Sequence, residues 1–288
     1  MKLALGTAQF GLEYGVANAQ GRLSFAGANE ILNFSRDIGI DTLDTAIAYG
    51  ESELTLGELG IEDFKVITKI PNITQEYLSS RFWISDQVKC SLSRLKVNKI
   101  EALLLHEPMQ LIERHGQDIY NSLRRLKEDG LIKKFGISIY KPEEYSLISQ
   151  FCDLDIVQCP FNIIDSRLQR TGLLDQLVKQ QIEVHVRSVF LQGLLTFKRE
   201  NIPSKFERWE SVWDHWNDWL NRNSLSSIQA CLNFVLSFPQ IDKIIIGVDS
   251  KDQLNDIYTS YRKKEIGFFP DIFCEDENLI NPSNWNKL

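Results

Sequence analysis

Four side chains in this sequence of 288 residues have the types and spacing to polarise and protonate a carbonyl group. Asp44 closes a short apolar run, and Tyr49 follows in the loop DTAIAYG. Lys69 closes the run VITK and His106 closes ALLLH. A phenol has an ordinary pKa of about 10, high for a proton donor near neutrality. A neighbouring ammonium, Lys69, is expected to stabilise the phenolate and lower that value. A buried lysine needs a counter-charge, which Asp44 supplies. His106 is suited to donate a hydrogen bond to a carbonyl oxygen. Singly, each has an ordinary explanation: a turn cap, a packed tyrosine, a hydrogen-bonded loop histidine. Together, at the ends of successive apolar runs, they are hard to assign to coincidence.

Positioning such groups requires strands that end on one side of a sheet. Short apolar runs predict strands at 3–5, 42–44, 65–70, 102–105, 134–138, 156–159, 183–187 and 243–246. They are continuous rather than alternating, as in parallel strands buried on both faces. Amphipathic stretches between them predict helices at 26–38, 51–59, 75–95, 118–129, 142–150, 168–181, 224–237 and 251–261, with Ser24 as the N-cap of the first. Strands alternating with helices over this length favour an α/β fold, a (β/α)8 TIM barrel in a single domain, 1–288. An open doubly wound sheet is the alternative, but GTAQFGLEYG after the first strand contains no G-x-G-x-x-G leading into a helix. Two segments lie outside the repeat, an insert at 196–223 and a tail at 264–288. Both are expected beside the strand ends, as a pocket loop and tail. Within the insert, Trp209, Trp213, Trp216 and Leu220 share one helical face, which reads as a helix packed on the barrel.

Composition narrows the function classes. A net charge of −7 and the lack of a basic run argue against a nucleic-acid surface. No stretch reaches the ~18 apolar residues of a membrane span, and the first residues lack the apolar core of a signal peptide. Five scattered cysteines without a C-x-x-C pair read as reduced thiols, which suggests a cytoplasmic protein. No His, Cys or Asp cluster has metal-ligand spacing, so no metal is expected.

The segment GIDTLDTAIAYGESE, with VITKI and ALLLHEP after it, resembles the catalytic motifs of the aldo-keto reductase family. The resemblance continues in order through GTAQFG, KKFGISIY, VQCPFNIID, VRSVFLQGLL and IIIGVDSKDQL. The opening, with the tail INPSNW, is similar to a bacterial branch of that family. The resemblance implies hydride transfer between a nicotinamide cofactor and a carbonyl or alcohol. Tyr49 would be the general acid, Asp44 and Lys69 would tune it, and His106 would orient the carbonyl. Thr7, Ala8 and Asp44 would lie near the nicotinamide ribose, and Ser138 and Gln158 would hold the carboxamide. Ser188, Phe190 and Gln192 would follow the pyrophosphate, with Gly247, Asp249, Gln253 and Asp256 around the adenosine. Phe10, Tyr14, Phe161, Phe190, Trp213 and Phe269 are candidate pocket walls. Some relatives serve as regulatory partners, so a cofactor-sensing protein with little turnover is the second functional reading.

Three positions depart from the family pattern. Ile139 follows Ser138 where many relatives have Asn. Arg187 stands where many have an aromatic residue against the nicotinamide. Its guanidinium is suited either to stacking on that ring or to attracting an acidic substrate group. Gln253 stands where an arginine often grips the 2′-phosphate. NADP(H) is the family default, but Asp249 and Asp256 favour the free ribose hydroxyl of NAD(H), while Ser250 and Lys251 can still serve a phosphate. The sequence does not fix the oligomeric state.

Overall fold

A computed structural model of the protein describes residues 1–18, 21–74, 77, 82–263 and 267–288. Eight parallel strands close into a barrel in sequence order: β1 Leu3–Gly6, β2 Thr42–Asp44, β3 Lys65–Ile70, β4 Ile100–Leu105, β5 Ile132–Ser138, β6 Ile156–Pro160, β7 Glu183–Arg187 and β8 Lys243–Gly247. β1 pairs with both β2 and β8, which completes the ring. The register sets Gly6 beside Asp44 and Gly247, Lys69 beside Leu104, Ser138 beside Gln158, and Pro160 beside Arg187. The C-terminal strand ends, where the polar residues sit, therefore share one rim. This is the fold class expected from the sequence.

A small cluster of Ile67, Ala102, Leu104 and Ile156 fills part of the interior, and a larger core lies between strands and helices. The first long helix, Phe25–Asp37, begins where Ser24 Oγ accepts the Gly27 N–H at 3.1 Å. The helix expected at 75–95 is found as Trp83–Leu95; most of its first part lies outside the described residues. The helix expected at 168–181 is broken. Gly172 adopts a left-handed φ of 77° and separates Arg167–Arg170 from Leu173–Lys179.

Within the insert, helix Glu210–Asn223 packs Trp213, Trp216 and Leu220 inward. Trp213 is 0% exposed, and its indole N–H donates to the Phe206 carbonyl at 2.8 Å. The tail folds against this segment: Trp209 Nε1 donates to Asp276 Oδ2 at 3.1 Å, and the Trp285 ring lies 4.7 Å from that of Phe206. Trp213 is therefore a core residue rather than a pocket wall. So are Phe10 and Phe161, both buried in the main core. Large aromatic side chains gain most by leaving water entirely, and here packing surfaces were available to all three.

Candidate active site

A cleft crosses the C-terminal rim from β2 and β7 to β8. It is lined by Thr7, Ala8, Tyr14, Asp44, Tyr49, Arg187, Ser188, Phe190, Gln192, Gly247, Asp249, Gln253 and Asp256 among others. Most residues expected around a cofactor are thus brought together along one groove.

At its catalytic end, Lys69 Nζ donates to Asp44 Oδ1 at 2.5 Å and to the Thr45 carbonyl at 2.9 Å. Lys69 is 1% exposed and Asp44 4% exposed, so neither charge has much access to water. The other carboxylate oxygen, Asp44 Oδ2, accepts from Gln158 Nε2 at 2.7 Å. The Asp44 carbonyl accepts from the Thr7 N–H at 2.9 Å and from Thr7 Oγ1 at 3.0 Å. The ion pair is therefore held by β1, β2, β3 and β6 together. The Lys69 ammonium lies 5.2 Å from the centroid of the Tyr49 ring, and the Tyr49 and His106 rings are 5.8 Å apart. The three charged or ionisable strand-end residues and the loop tyrosine do converge.

The Tyr49 loop is fixed by a backbone crossing. A Cβ on Gly11 would sit 1.8 Å from the Tyr49 carbonyl oxygen, so only glycine fits there. Gly50, at a left-handed φ of 55°, makes the turn that carries the chain past Gly11.

Electrostatics amend one expectation. Burial and the Asp44 carboxylate raise the Tyr49 phenol above its ordinary value, with Arg187 pulling the other way. The Lys69 charge does not lower it as anticipated, because Asp44 neutralises that charge at contact distance. Burial also lowers the Lys69 ammonium, against the pull of Asp44. His106 is pushed down to about 3 by burial, with the positive charges of Lys69 and Arg187 adding to it. The imidazole is thus neutral near pH 7 and has one ring N–H to donate.

Arg187, half-buried at the end of β7, leans toward β5. Its guanidinium lies 4.3 Å from the centroid of the Tyr140 ring and donates to the Ile139 carbonyl at 3.1 Å. Ser188, Leu191 and Gln192 after it have left-handed φ values of 59°, 47° and 53°. Such non-glycine residues store about 1–3 kcal/mol each and mark segments held by their surroundings. Part of that hold is Asn162 Nδ2, which donates to the Ser188 carbonyl at 3.0 Å.

Among the buried side-chain atoms without a protein partner in the described residues, two belong to residues expected around the cofactor: Gln158 Oε1, beside Asp44, and Asp249 Oδ1, at the far end of the cleft. Buried acceptors without donors are costly, so both suit a ligand that brings N–H or O–H groups. Ser138, adjacent to Gln158 in register, is buried. Tyr14 also borders the cleft, its Oη accepting from Gln192 Nε2 at 3.2 Å. Phe269 does not: it packs edge-on to Phe234 at 5.3 Å and opens onto a separate depression with Arg170 and Phe273. Of the insert only Thr196 lines the cleft, and no described tail residue does. The pocket-shaping role expected of these segments is thus not seen in this cleft.

Two contributors escaped the sequence. Tyr140 is not singled out there and gains a role only when Arg187 is found against its ring. Gln9 is noticed only when barrel closure brings its amide against Gly247, where a Cβ would meet it at 2.8 Å.

The sequence model of the Aldo/keto reductase family matches residues 2–266. The chain is 26% identical over 249 residues to the uncharacterized oxidoreductase YqkF of Bacillus subtilis, covering 80% of each chain. It is 29% identical over 201 residues to the NADH-specific methylglyoxal reductase of Escherichia coli, covering 61% of this chain and 60% of that one. Among solved structures, the holo form of aldo-keto reductase AKR11C1 from Bacillus halodurans superposes with a TM-score of 0.72 at 19% identity, covering 92% of this chain and 88% of that one. The chain belongs to the aldo/keto reductase family and is an NAD(P)-dependent oxidoreductase.

Proposed function

We propose that the protein reduces an aldehyde or ketone to an alcohol, with Tyr49 as general acid and NADH as the preferred hydride donor. The observation that carries the chemistry is the buried Asp44–Lys69 pair beneath Tyr49, with neutral His106 beside it. When bound, the nicotinamide supplies a hydride to the carbonyl carbon. The chain does the rest. A phenol with a raised pKa keeps its proton at rest, yet the oxygen of a carbonyl taking up a hydride becomes far more basic than a phenolate. Tyr49 then gives its O–H proton to that oxygen. His106 donates a hydrogen bond to the same oxygen and cannot compete as an acid, being already neutral. The phenolate left behind is stabilised by the nearby positive charge of Arg187.

The preference for NADH follows from the acidic far end of the cleft. Asp249 and Asp256 line it, and Asp249 Oδ1 is buried without a donor. A ribose hydroxyl satisfies such an oxygen, whereas a 2′-phosphate meets like charge. Arg22 and Lys251 open onto a side cavity behind Asp249, but Arg22 is paired with Glu51, and Lys251 lies 5.6 Å from the centroid of the Phe34 ring. At the other end, the unpartnered Gln158 Oε1 beside Asp44 supports a contact with a carboxamide N–H. We further propose a cytoplasmic location, a single domain, and small-molecule substrates only.

Fluorescence titration with NADH and NADPH, followed by turnover of a carbonyl panel with the tighter cofactor, tests both parts. Tighter NADH binding and measurable reduction are expected. Tighter NADPH binding would overturn the role given to Asp249. Tight cofactor binding without turnover of any carbonyl would favour the cofactor-sensing alternative.

A further inference from the structure

The catalytic end of the cleft holds one cation that no carboxylate among the described residues neutralises. Lys69 is matched by Asp44, and the neighbouring Arg167 is matched by Asp165 at 2.8 Å. Arg187 forms no ion pair among the described residues, although it is half-buried and faces the cleft beside Tyr49. Its protein contacts are all neutral: the Ile139 carbonyl at 3.1 Å, Ser188 Oγ at 3.5 Å and the Tyr140 ring. A guanidinium carries five N–H donors and no acceptor, so these contacts leave donors unused. With Asp44 and Lys69 cancelling and His106 neutral, this end of the cleft carries a net positive charge.

A partly buried, unpaired charge costs free energy that an arriving anion returns. A planar carboxylate matches the two-pronged donor geometry of a guanidinium. An oxidised nicotinamide is itself a cation and cannot supply the missing charge. The shorter contacts of Arg187, to the Ile139 carbonyl and the Tyr140 ring, draw it from β7 toward the end of β5, away from the adenosine residues Gly247, Asp249 and Gln253. Only the 3.5 Å contact to Ser188 Oγ faces the stretch expected along the pyrophosphate, and NADH affinity is the readout that distinguishes that role. We propose that Arg187 receives a carboxylate carried by the carbonyl substrate, so that the enzyme prefers oxo acids and acid-bearing aldehydes to neutral carbonyls. This role rests on Tyr49 being the proton donor, since that fixes where the carbonyl lies.

The test compares 4-carboxybenzaldehyde with 4-nitrobenzaldehyde, a neutral aldehyde, in the wild type, Arg187→Gln and Arg187→Lys. The readout is the ratio of kcat/KM, acidic over neutral. In Arg187→Gln that ratio is expected to fall by roughly 30-fold or more, mainly through KM for the acidic aldehyde. Arg187→Lys, which keeps the charge but not the fork, should recover part of it. An unchanged ratio in Arg187→Gln overturns the proposal. So does a tenfold loss of NADH affinity with the ratio intact, which would move Arg187 to the cofactor. A parallel binding arm separates this from failure of the carbonyl-reduction reading. Terephthalate should raise the Tm of the NADH-loaded wild type but not of Arg187→Gln, whether or not either aldehyde turns over. Equal Tm shifts in both proteins count against the proposal.

Discussion

The two rims of the barrel treat charge in opposite ways. At the N-terminal rim, Asp41 accepts from Lys243 at 2.6 Å and from Lys65 at 2.9 Å, while Glu183 is bonded to Lys134 and to His185 Nε2. Burial pushes the Glu183 carboxyl up, but the bonds from His185 and Lys134 outweigh it and bring the carboxyl down to about 2. Asp41, Lys65, Lys134, Lys243 and Glu183 stay partly exposed, each against an oppositely charged partner, while the His185 ring is buried. At the C-terminal rim, burial drives Tyr49 and His106 toward their neutral forms, and Arg187 has no ion-pair partner among the described residues. Saturated pairs stabilise a barrel, whereas perturbed and unpaired groups at strand ends are what a reaction needs.

The largest expected contrast is in turnover. Tyr49→Phe should lower the carbonyl-reduction rate by about 10³-fold, near the middle of the range for a positioned general acid. Asp41→Asn, at the opposite rim, should leave the rate within a factor of about two. Steady-state kinetics of both variants checks the pair. A second contrast is in stability. Lys69→Met strands the buried Asp44 carboxylate and should cost about 3–5 kcal/mol in urea unfolding. Lys65→Met removes a half-exposed partner and should cost under about 1 kcal/mol. Equal losses would erase the distinction between the rims.

The third contrast is in pH. The folded pKa of His106 is depressed from about 6.5, so the unfolded chain binds more protons as pH falls below that value. Stability should therefore drop from about pH 6.5 downward, and His106→Gln should flatten that part of the Tm profile. Glu183 is also depressed, so its contribution is present above about pH 4.3 and lost as pH falls toward its folded value. Glu183→Gln should flatten only that lower part. The smallest effect is at the far end of the cleft, where Asp249→Asn should narrow the NADH-over-NADPH preference a few-fold in fluorescence titration.

Much of the frame was legible because its signals are local. Continuous apolar runs announce parallel strands, and every expected strand appears with ends shifted by no more than two residues, as with β5 at Ile132–Ser138. The convergence of Asp44, Lys69 and His106 was legible because strand ends are fixed once strands are. What escaped depends on contacts distant in sequence. A tryptophan at position 213 has the same composition signal whether it lines a pocket or packs against Phe206. Gln9 meets Gly247 only through closure of the barrel. The upward shift of Tyr49 likewise required knowing that Lys69 would spend its charge on Asp44 at 2.5 Å.

The most direct test of the central claim follows deuterium from C4-deuterated NADH into the alcohol product in a single turnover. The wild type should deliver the label to the carbonyl carbon, and Tyr49→Phe should bind the same cofactor with unchanged affinity yet deliver almost none. Label transfer by Tyr49→Phe at the wild-type rate would contradict the assignment of Tyr49 as the proton donor.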